Sequence, residues 1–186
     1  MKHLLTGLAA LSLVACGSNG TDAANSAAKI AEVGDGSAVC PASEVISDVA
    51  MYKNDHPAAQ DDYAAWHAEN GQRSGVVTTE SGLQYQVIKK GTSNGPSPEG
   101  SQIIKVNYHG FFPNGEIFDS SYNRGQAIEF PANGVIKGWI EGLGMMKPCD
   151  AWTIYVPGNL AYGPRGRPGI PPNATLGFHV QLLEVK

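Results

Sequence analysis

Residues 104–120 read IKVNYHGFFPNGEIFDS, and the fold is decided here. Ile104, Val106 and Tyr108 alternate with Lys105, Asn107 and His109, the period of two that puts one set of side chains on a single face of a strand. Pro113-Asn114-Gly115 then stops the run with a turn. The same alternation appears at Leu83, Tyr85 and Val87, at Trp152, Ile154 and Val156, and at Leu176, Phe178, Val180 and Leu182. Asn94-Gly95-Pro96 and Pro171-Pro172-Asn173 mark further turns. One stretch switches period: Ile136, Trp139 and Leu143 fall on one side of a short helix, with Lys137 and Glu141 placed to pair at i, i+4. Several antiparallel strands with one short helix on a face give an α+β domain over residues 76–186.

The chain before Val76 differs in character. Residues 1–15, MKHLLTGLAALSLVA, carry one lysine and an apolar run from Leu4 to Ala15. That run is too short to cross roughly 30 Å of hydrocarbon as a helix, and it has the form of an export signal. Leu13-Val14-Ala15-Cys16, followed by Gly17, resembles a bacterial lipobox, which makes Cys16 the expected lipidation site, acylated with diacylglyceryl and palmitate-like chains. Each buried CH₂ contributes roughly 0.8 kcal/mol, so several chains hold firmly to a bilayer. Cleavage takes Lys2 from the 13 basic residues and none of the 17 acidic ones, moving the charge from −4 to −5. Residues 16–40 are expected to be a flexible tether, rich in Gly, Ser, Asn and Ala.

Residues 41–75 are expected to be a short helical segment. Ser43 is placed to cap a helix bearing Val45, Val49 and Tyr52; Asp55 and Pro57 suit the start of a second, with Ala59, Tyr63 and Trp66 as its stripe and Gly71 as its end. That stripe serves either as a homodimer face or, more commonly, for packing on the main domain. With Cys16 lipidated, Cys40 and Cys149 remain. A disulfide between them is one arrangement, since exported chains keep such bonds, and two unrelated thiols is the other; the sequence does not decide.

Composition excludes several classes. Of 186 residues 42% are apolar, enough for a core, while three cysteines are too few for a disulfide scaffold. The net charge of −4 with no basic stripe argues against nucleic acid as a partner. The five histidines show no metal-ligand spacing, and neither a nucleophile elbow nor a phosphate-cradling loop occurs. No cofactor is called for. What remains is aromatic and rich in turns.

Six segments in order carry a resemblance: Ser81–Tyr85, Val106–Gly110, Gly115–Ser121, Val135–Trp139, Leu160–Gly163 and Ile170–Leu176. Over roughly three fifths of the chain they resemble the FK506-binding-protein (FKBP) family of peptidyl-prolyl cis–trans isomerases, in particular exported bacterial members related to the macrophage infectivity potentiator. The resemblance implies a five- or six-stranded antiparallel sheet wrapped around a short helix, with a proline pocket between them. It implies catalytic roles for Asp119, Tyr162, Ile136, Trp139 and Phe178. Trp139 becomes the floor under the prolyl ring, the Ile136 N–H and the Tyr162 hydroxyl become donors to substrate carbonyls, and Asp119 lies beside the twisting amide. Tyr108, Phe118, Arg124, Ile128, Phe130, Val135 and Ile170 become substrate-binding. Proline-containing polypeptides are the implied substrates and FK506- or rapamycin-like macrolides the implied ligands. Ile128 departs from the aromatic common at its position, and Arg167 from the histidine several members carry in the flap.

The chemistry fits those residue types. Rotating a peptide bond breaks resonance against a barrier of ~18–20 kcal/mol and needs neither nucleophile nor proton shuttle. An apolar pocket favours the twisted, less polar amide over the planar one. The expectation is a membrane-tethered isomerase of the cell envelope, on the periplasm-facing outer membrane or at the surface. The alternative is a chaperone module that holds prolyl segments with little turnover.

Overall fold

The computed structural model describes residues 38–52, 55–58, 62–91, 93 and 95–186. All belong to one unit spanning residues 32–186. Cys16, the signal segment, most of the tether, Ala59 of the stripe and Asn94 of the first turn lie outside them.

The elements in chain order are β1 (Ala38–Val39), α1 (Tyr63–Asn70), β2 (Val77–Thr78), β3 (Gln84–Lys89), β4 (Ile103–Phe111), β5 (Ile117–Ser120), α2 (Ser121–Arg124), β6 (Ile128–Pro131), α3 (Lys137–Met145), β7 (Ala151–Val156) and β8 (Leu176–Val185). Every strand pairing is antiparallel, in the order β2-β3-β7-β8-β4-β5. β4 and β8 form the spine, with Tyr108 opposite Val180 and Gly110 opposite Phe178. The outer edge of β4 is shared: β6 pairs Ile103–Val106 and β5 pairs His109–Phe111. β1 extends the β7 row past its end, pairing Val39 with Glu184.

α3 lies against the sheet face bearing Leu83, Val106, Tyr108, Ile154, Phe178 and Val180, and Trp139 and Leu143 complete that core. Close approach needs a helix position without a side chain. A Cβ built on Gly138 would stand 2.4 Å from Val156 Cγ1, so glycine there lets α3 lie on β7. Glu141 turns to Ser81 Oγ, 2.6 Å away, rather than to Lys137, so the expected i, i+4 pair is not made.

The alternation leads one to expect solvent on the opposite face, yet every residue of β7 is buried. The reason is the segment before β2, which lies across that face. Tyr52 stacks on His179 at 4.6 Å, His56 on Phe111 at 5.4 Å, and Trp66 tilts against Tyr155 at 5.8 Å. Several buried polar groups there are paired, which offsets the cost of taking them out of water. Gln181 Oε1 accepts from the Ile46 N–H at 2.7 Å while its Nε2 donates to the Glu44 carbonyl at 2.8 Å. Gln84 Oε1 accepts from Asn70 Nδ2 at 2.8 Å, and Thr153 Oγ1 lies 2.9 Å from His179 Nδ1.

This segment corrects two expectations. Around Val45–Tyr52 there is no α-helix, only 3₁₀ turns at Ala42–Glu44 and Val49–Met51, and Ile46 and Tyr52 are the buried residues. The second helix starts at Tyr63, not beside Pro57. Asp62 caps it, accepting from Ala64 N at 2.9 Å and Ala65 N at 3.1 Å, whereas Asp55 pairs with Arg73. Gly71 ends it as expected. Trp66 is wholly buried in its own chain, with Nε1 donating to the Pro57 carbonyl at 3.2 Å. Cys40 and Cys149 are bonded, their Cα atoms 4.9 Å apart, and both hang on β8 by backbone N–H bonds of 2.7 Å to Leu183 and Leu182.

Candidate active site

The site lies where α3 meets the β4–β5–β8 end of the sheet. Trp139, in the first turn of α3, is 5% exposed and sits at the centre of a ring of aromatics. Its indole meets Phe178 edge-on at 5.1 Å, Tyr108 edge-on at 5.4 Å and Phe130 at 5.7 Å. Phe118 stands edge-on to Phe178 at 5.5 Å. Edge-to-face contacts of this kind contribute on the order of 1 kcal/mol beyond burial and fix ring orientation. Gly110 is the space behind them: a Cβ there would come within 2.7 Å of the Phe118 ring and 3.2 Å of Phe178.

Beside the aromatic floor lies a polar corner. The Tyr108 hydroxyl donates to Asp119 Oδ2, Arg124 Nη1 donates to Asp119 Oδ1, and Arg124 Nη2 donates to the Tyr108 oxygen at 2.9 Å. The fork of Arg124 thus holds both members. Ser120, not Asp119, caps α2, accepting from Asn123 N at 3.2 Å. Asp119 is thereby left to the corner. Burial by itself raises the Asp119 carboxyl, but the Tyr108 hydroxyl and then Arg124 outweigh it and hold the group below the ordinary carboxylate value. Burial and the Asp119 bond push the Tyr108 phenol up.

Two donors at the rim are unspent within the described residues. Ile136 is the N-cap of α3; its carbonyl accepts from Trp139 N at 2.9 Å, and its N–H has no partner. The Tyr162 hydroxyl likewise has none, while the face of its ring is covered by Arg167. Val135, Ile136, Ile128 and Tyr162 are half-buried on the same apolar cluster, and Ile170 is buried in it.

The structure therefore joins Tyr108, Phe118, Phe130, Trp139 and Phe178 by ring contacts, and Asp119, Tyr108 and Arg124 by hydrogen bonds. Val135, Ile136, Tyr162 and Ile170 rim the same cluster. Ile128 and Arg124 also line a cavity of about 970 Å³ shared with Val45, Ile46 and Leu183. Sequence reasoning missed Phe112, which packs on Phe118 at 5.0 Å, and the spacing role of Gly110. The signal for both was parity: Tyr108, Gly110 and Phe112 share one face of β4 and its extension.

An antiparallel sheet packed on a short helix thus carries a buried indole ringed by aromatic side chains, a clamped carboxylate beside it, and two donors without partners among the described residues. Comparison with known proteins narrows this. Residues 95–183 match the model described as FKBP-type peptidyl-prolyl cis-trans isomerase, and residues 22–87 that of the domain amino-terminal to it. The peptidyl-prolyl cis-trans isomerase Mip of Coxiella burnetii is 50% identical over 123 residues, which is 66% of this chain and 53% of that protein. The crystal structure of FkpA from Escherichia coli superimposes with a TM-score of 0.63 at 42% identity, covering 66% of this chain and 57% of that one. A peptidyl-prolyl cis-trans isomerase from Pseudomonas syringae pv. tomato gives 0.61 at 30% identity, covering 67% and 90%. The chain belongs to the FKBP-type peptidyl-prolyl cis-trans isomerase family, in the group of Mip and FkpA. It spans about half the length of the curated relatives it matches.

Proposed function

We propose that this chain accelerates cis–trans rotation of Xaa-Pro bonds in polypeptides by non-covalent binding in the Trp139 cleft. The observation that carries the reading is the pairing of a fixed aromatic floor with two unspent donors, the Ile136 N–H and the Tyr162 hydroxyl. A prolyl ring seated on the indole leaves its flanking carbonyls at the rim, where these donors hold one side of the bond while the other turns.

Water stabilises the planar, charge-separated amide, so moving the bond among Tyr108, Phe118, Phe130 and Phe178 removes that stabilisation. The twisted amide, less polar at its carbonyl, loses less. Donors that fit the twisted geometry better than the planar one then lower the barrier by differential binding. Asp119, ionised and clamped by Tyr108 and Arg124, places a fixed negative charge beside the carbonyl carbon, which is relatively positive when resonance is broken. FK506- or rapamycin-like macrolides, which carry a similar ring and carbonyls, are proposed as competitors, with Ile128 giving a slimmer wall.

We further propose that Cys16 anchors the protein in the cell envelope by its acyl chains, with the domain facing the periplasm or the exterior. Among the described residues no helix is long and apolar enough to cross a membrane. Mass spectrometry of the membrane-extracted protein tests this: a diacylglyceryl adduct on Cys16 supports it, and an unmodified cysteine contradicts it.

The activity is tested on a protein whose refolding is limited by a prolyl bond. The full chain should raise the slow rate constant in proportion to its concentration, and a rapamycin-like macrolide should abolish the effect. A slow phase whose amplitude falls while its rate stays unchanged would mean that the cleft holds prolyl segments without turning them.

A further inference from the structure

The flap after Tyr162 carries a cation whose placement the rotation chemistry does not use. The Arg167 guanidinium lies over the Tyr162 ring, its central carbon 4.5 Å from the centroid. Its backbone is pinned by reciprocal bonds with Ile170, 3.0 Å from Arg167 N and 2.8 Å to Arg167 O, with Gly169 in the left-handed region (φ 81°) making the turn. Arg73 and Arg124 are each ion-paired to a carboxylate. Arg167 is exposed and has no such partner among the described residues. The same side chain lines a cavity of about 470 Å³ with Tyr63, Phe112, Glu116, Ile170 and Pro171. Glu116 is the acid of that cavity, yet it makes no ion pair with Arg167. A further cation, Lys137, follows Ile136 at the start of α3 and is exposed.

We infer that Arg167 is a specificity-determining residue that favours substrates with an acidic side chain next to the isomerised proline. This rests on the isomerase reading, because the Tyr162 hydroxyl is proposed there to hold a carbonyl beside that proline. A guanidinium stacked on the ring is desolvated on one face and held in direction. Its edge offers a two-pronged donor to a carboxylate, and the carboxylate arrives within one residue of the carbonyl on Tyr162. The cavity beyond has apolar walls for the methylene stem of a glutamate. No such partner is offered to a lysine, which Arg167 and Lys137 repel.

The test uses the full chain and Xaa-Pro peptides differing only in Glu, Gln or Lys at the residue before the proline, and a second set varied at the residue after it. Rates come from exchange NMR and are read as ratios, so overall changes in activity cancel. An exposed ion pair predicts a kcat/KM ratio of about three- to five-fold for Glu over Gln in one of the two sets. That ratio should fall toward one at high salt. Lys should lie below Gln. Arg167→Gln should bring the Glu/Gln ratio to one, Arg167→Lys should keep part of it, and Glu116→Gln should raise it. A ratio of one in both sets, or an acid preference that survives in Arg167→Gln, overturns the inference while leaving the isomerase reading intact. Acceleration of none of the peptides overturns the isomerase reading instead. The dissociation constants of the Glu and Gln peptides, followed by tryptophan fluorescence, then decide the role of Arg167 separately by the same ratio.

Discussion

Asp119 and His179 show how the two faces of one sheet treat a titratable group. Asp119 is clamped in its charged form by Tyr108 and Arg124, so its contribution to stability is present above the unfolded carboxylate pKa and lost only as pH falls through its lower folded value. His179 is held neutral. Burial first, then the neighbouring His109 and His56, lower its pKa from 6.5 to about 3. A depressed histidine stabilises the fold fully above the unfolded value of 6.5. Below it the unfolded chain takes up a proton that the native chain refuses, until pH passes the folded value. The penalty at pH 5 is about 2 kcal/mol. We therefore expect the thermal midpoint to drop steadily from pH 6.5 to 5, and the His179 ring resonances to stay unshifted by NMR over that range. A His179 midpoint near 6.5 would contradict the packing described. Tyr108, Phe118 and Asp119 were legible because they sit in motif strings. His179 was not, because alternation marks it as a polar, outward residue, and it takes the distant Tyr52, His56 and Trp66 to make that face an interior.

At the scale of elements, the strands were legible from their period and α3 from its apolar stripe, since both patterns arise from burial against one large core. The segment 41–58 was not. Val45, Val49 and Tyr52 have helical spacing, yet the chain satisfies its backbone through Gln181, a side chain 135 residues away from Ile46. No local rule sees such a partner. α1 likewise takes its cap from Asp62, while Asp55 pairs with Arg73, another partner distant in sequence. The contact of α3 with β7 yields a prediction of its own. Gly138→Ala places a methyl in the 2.4 Å gap to Val156 Cγ1 and must lift the helix that carries Trp139. Overpacking of this kind costs about 1–3 kcal/mol. Activity should fall with stability, because the cleft floor moves. Chemical denaturation and peptide turnover measured together check this; an unchanged midpoint would mean that α3 is not tightly seated. Val156→Ala in the same background should recover part of both.

For the molecule as a whole, the Cys40–Cys149 bond ties the start of the described chain to the segment just before β7, closing a loop of sequence separation 109. Opening so long a loop frees the unfolded state by about 5 kcal/mol in the chain-entropy treatment. The Cys40→Ser, Cys149→Ser double variant should unfold at markedly lower denaturant. Its peptide turnover under native conditions should persist, since neither cysteine touches the aromatic cleft. Loss of turnover in a variant that still folds would show that the segment on the back of the sheet supports the site. The sequence left this bond open because two thiols report nothing of their separation, and only the shared β8 edge brings them together. The central claim is that the cleft rotates prolyl bonds by geometry and electrostatics alone. Its most direct test is the cis–trans exchange rate of a short Xaa-Pro peptide with the full chain, beside Asp119→Ala and Tyr162→Phe. The account predicts strong acceleration by the native chain and a fall of about ten-fold or more in each variant, the loss expected for a hydrogen bond or fixed charge that favours the twisted amide. Acceleration unchanged in both variants would contradict the assignment of these residues, and no acceleration by the folded chain would contradict the function itself.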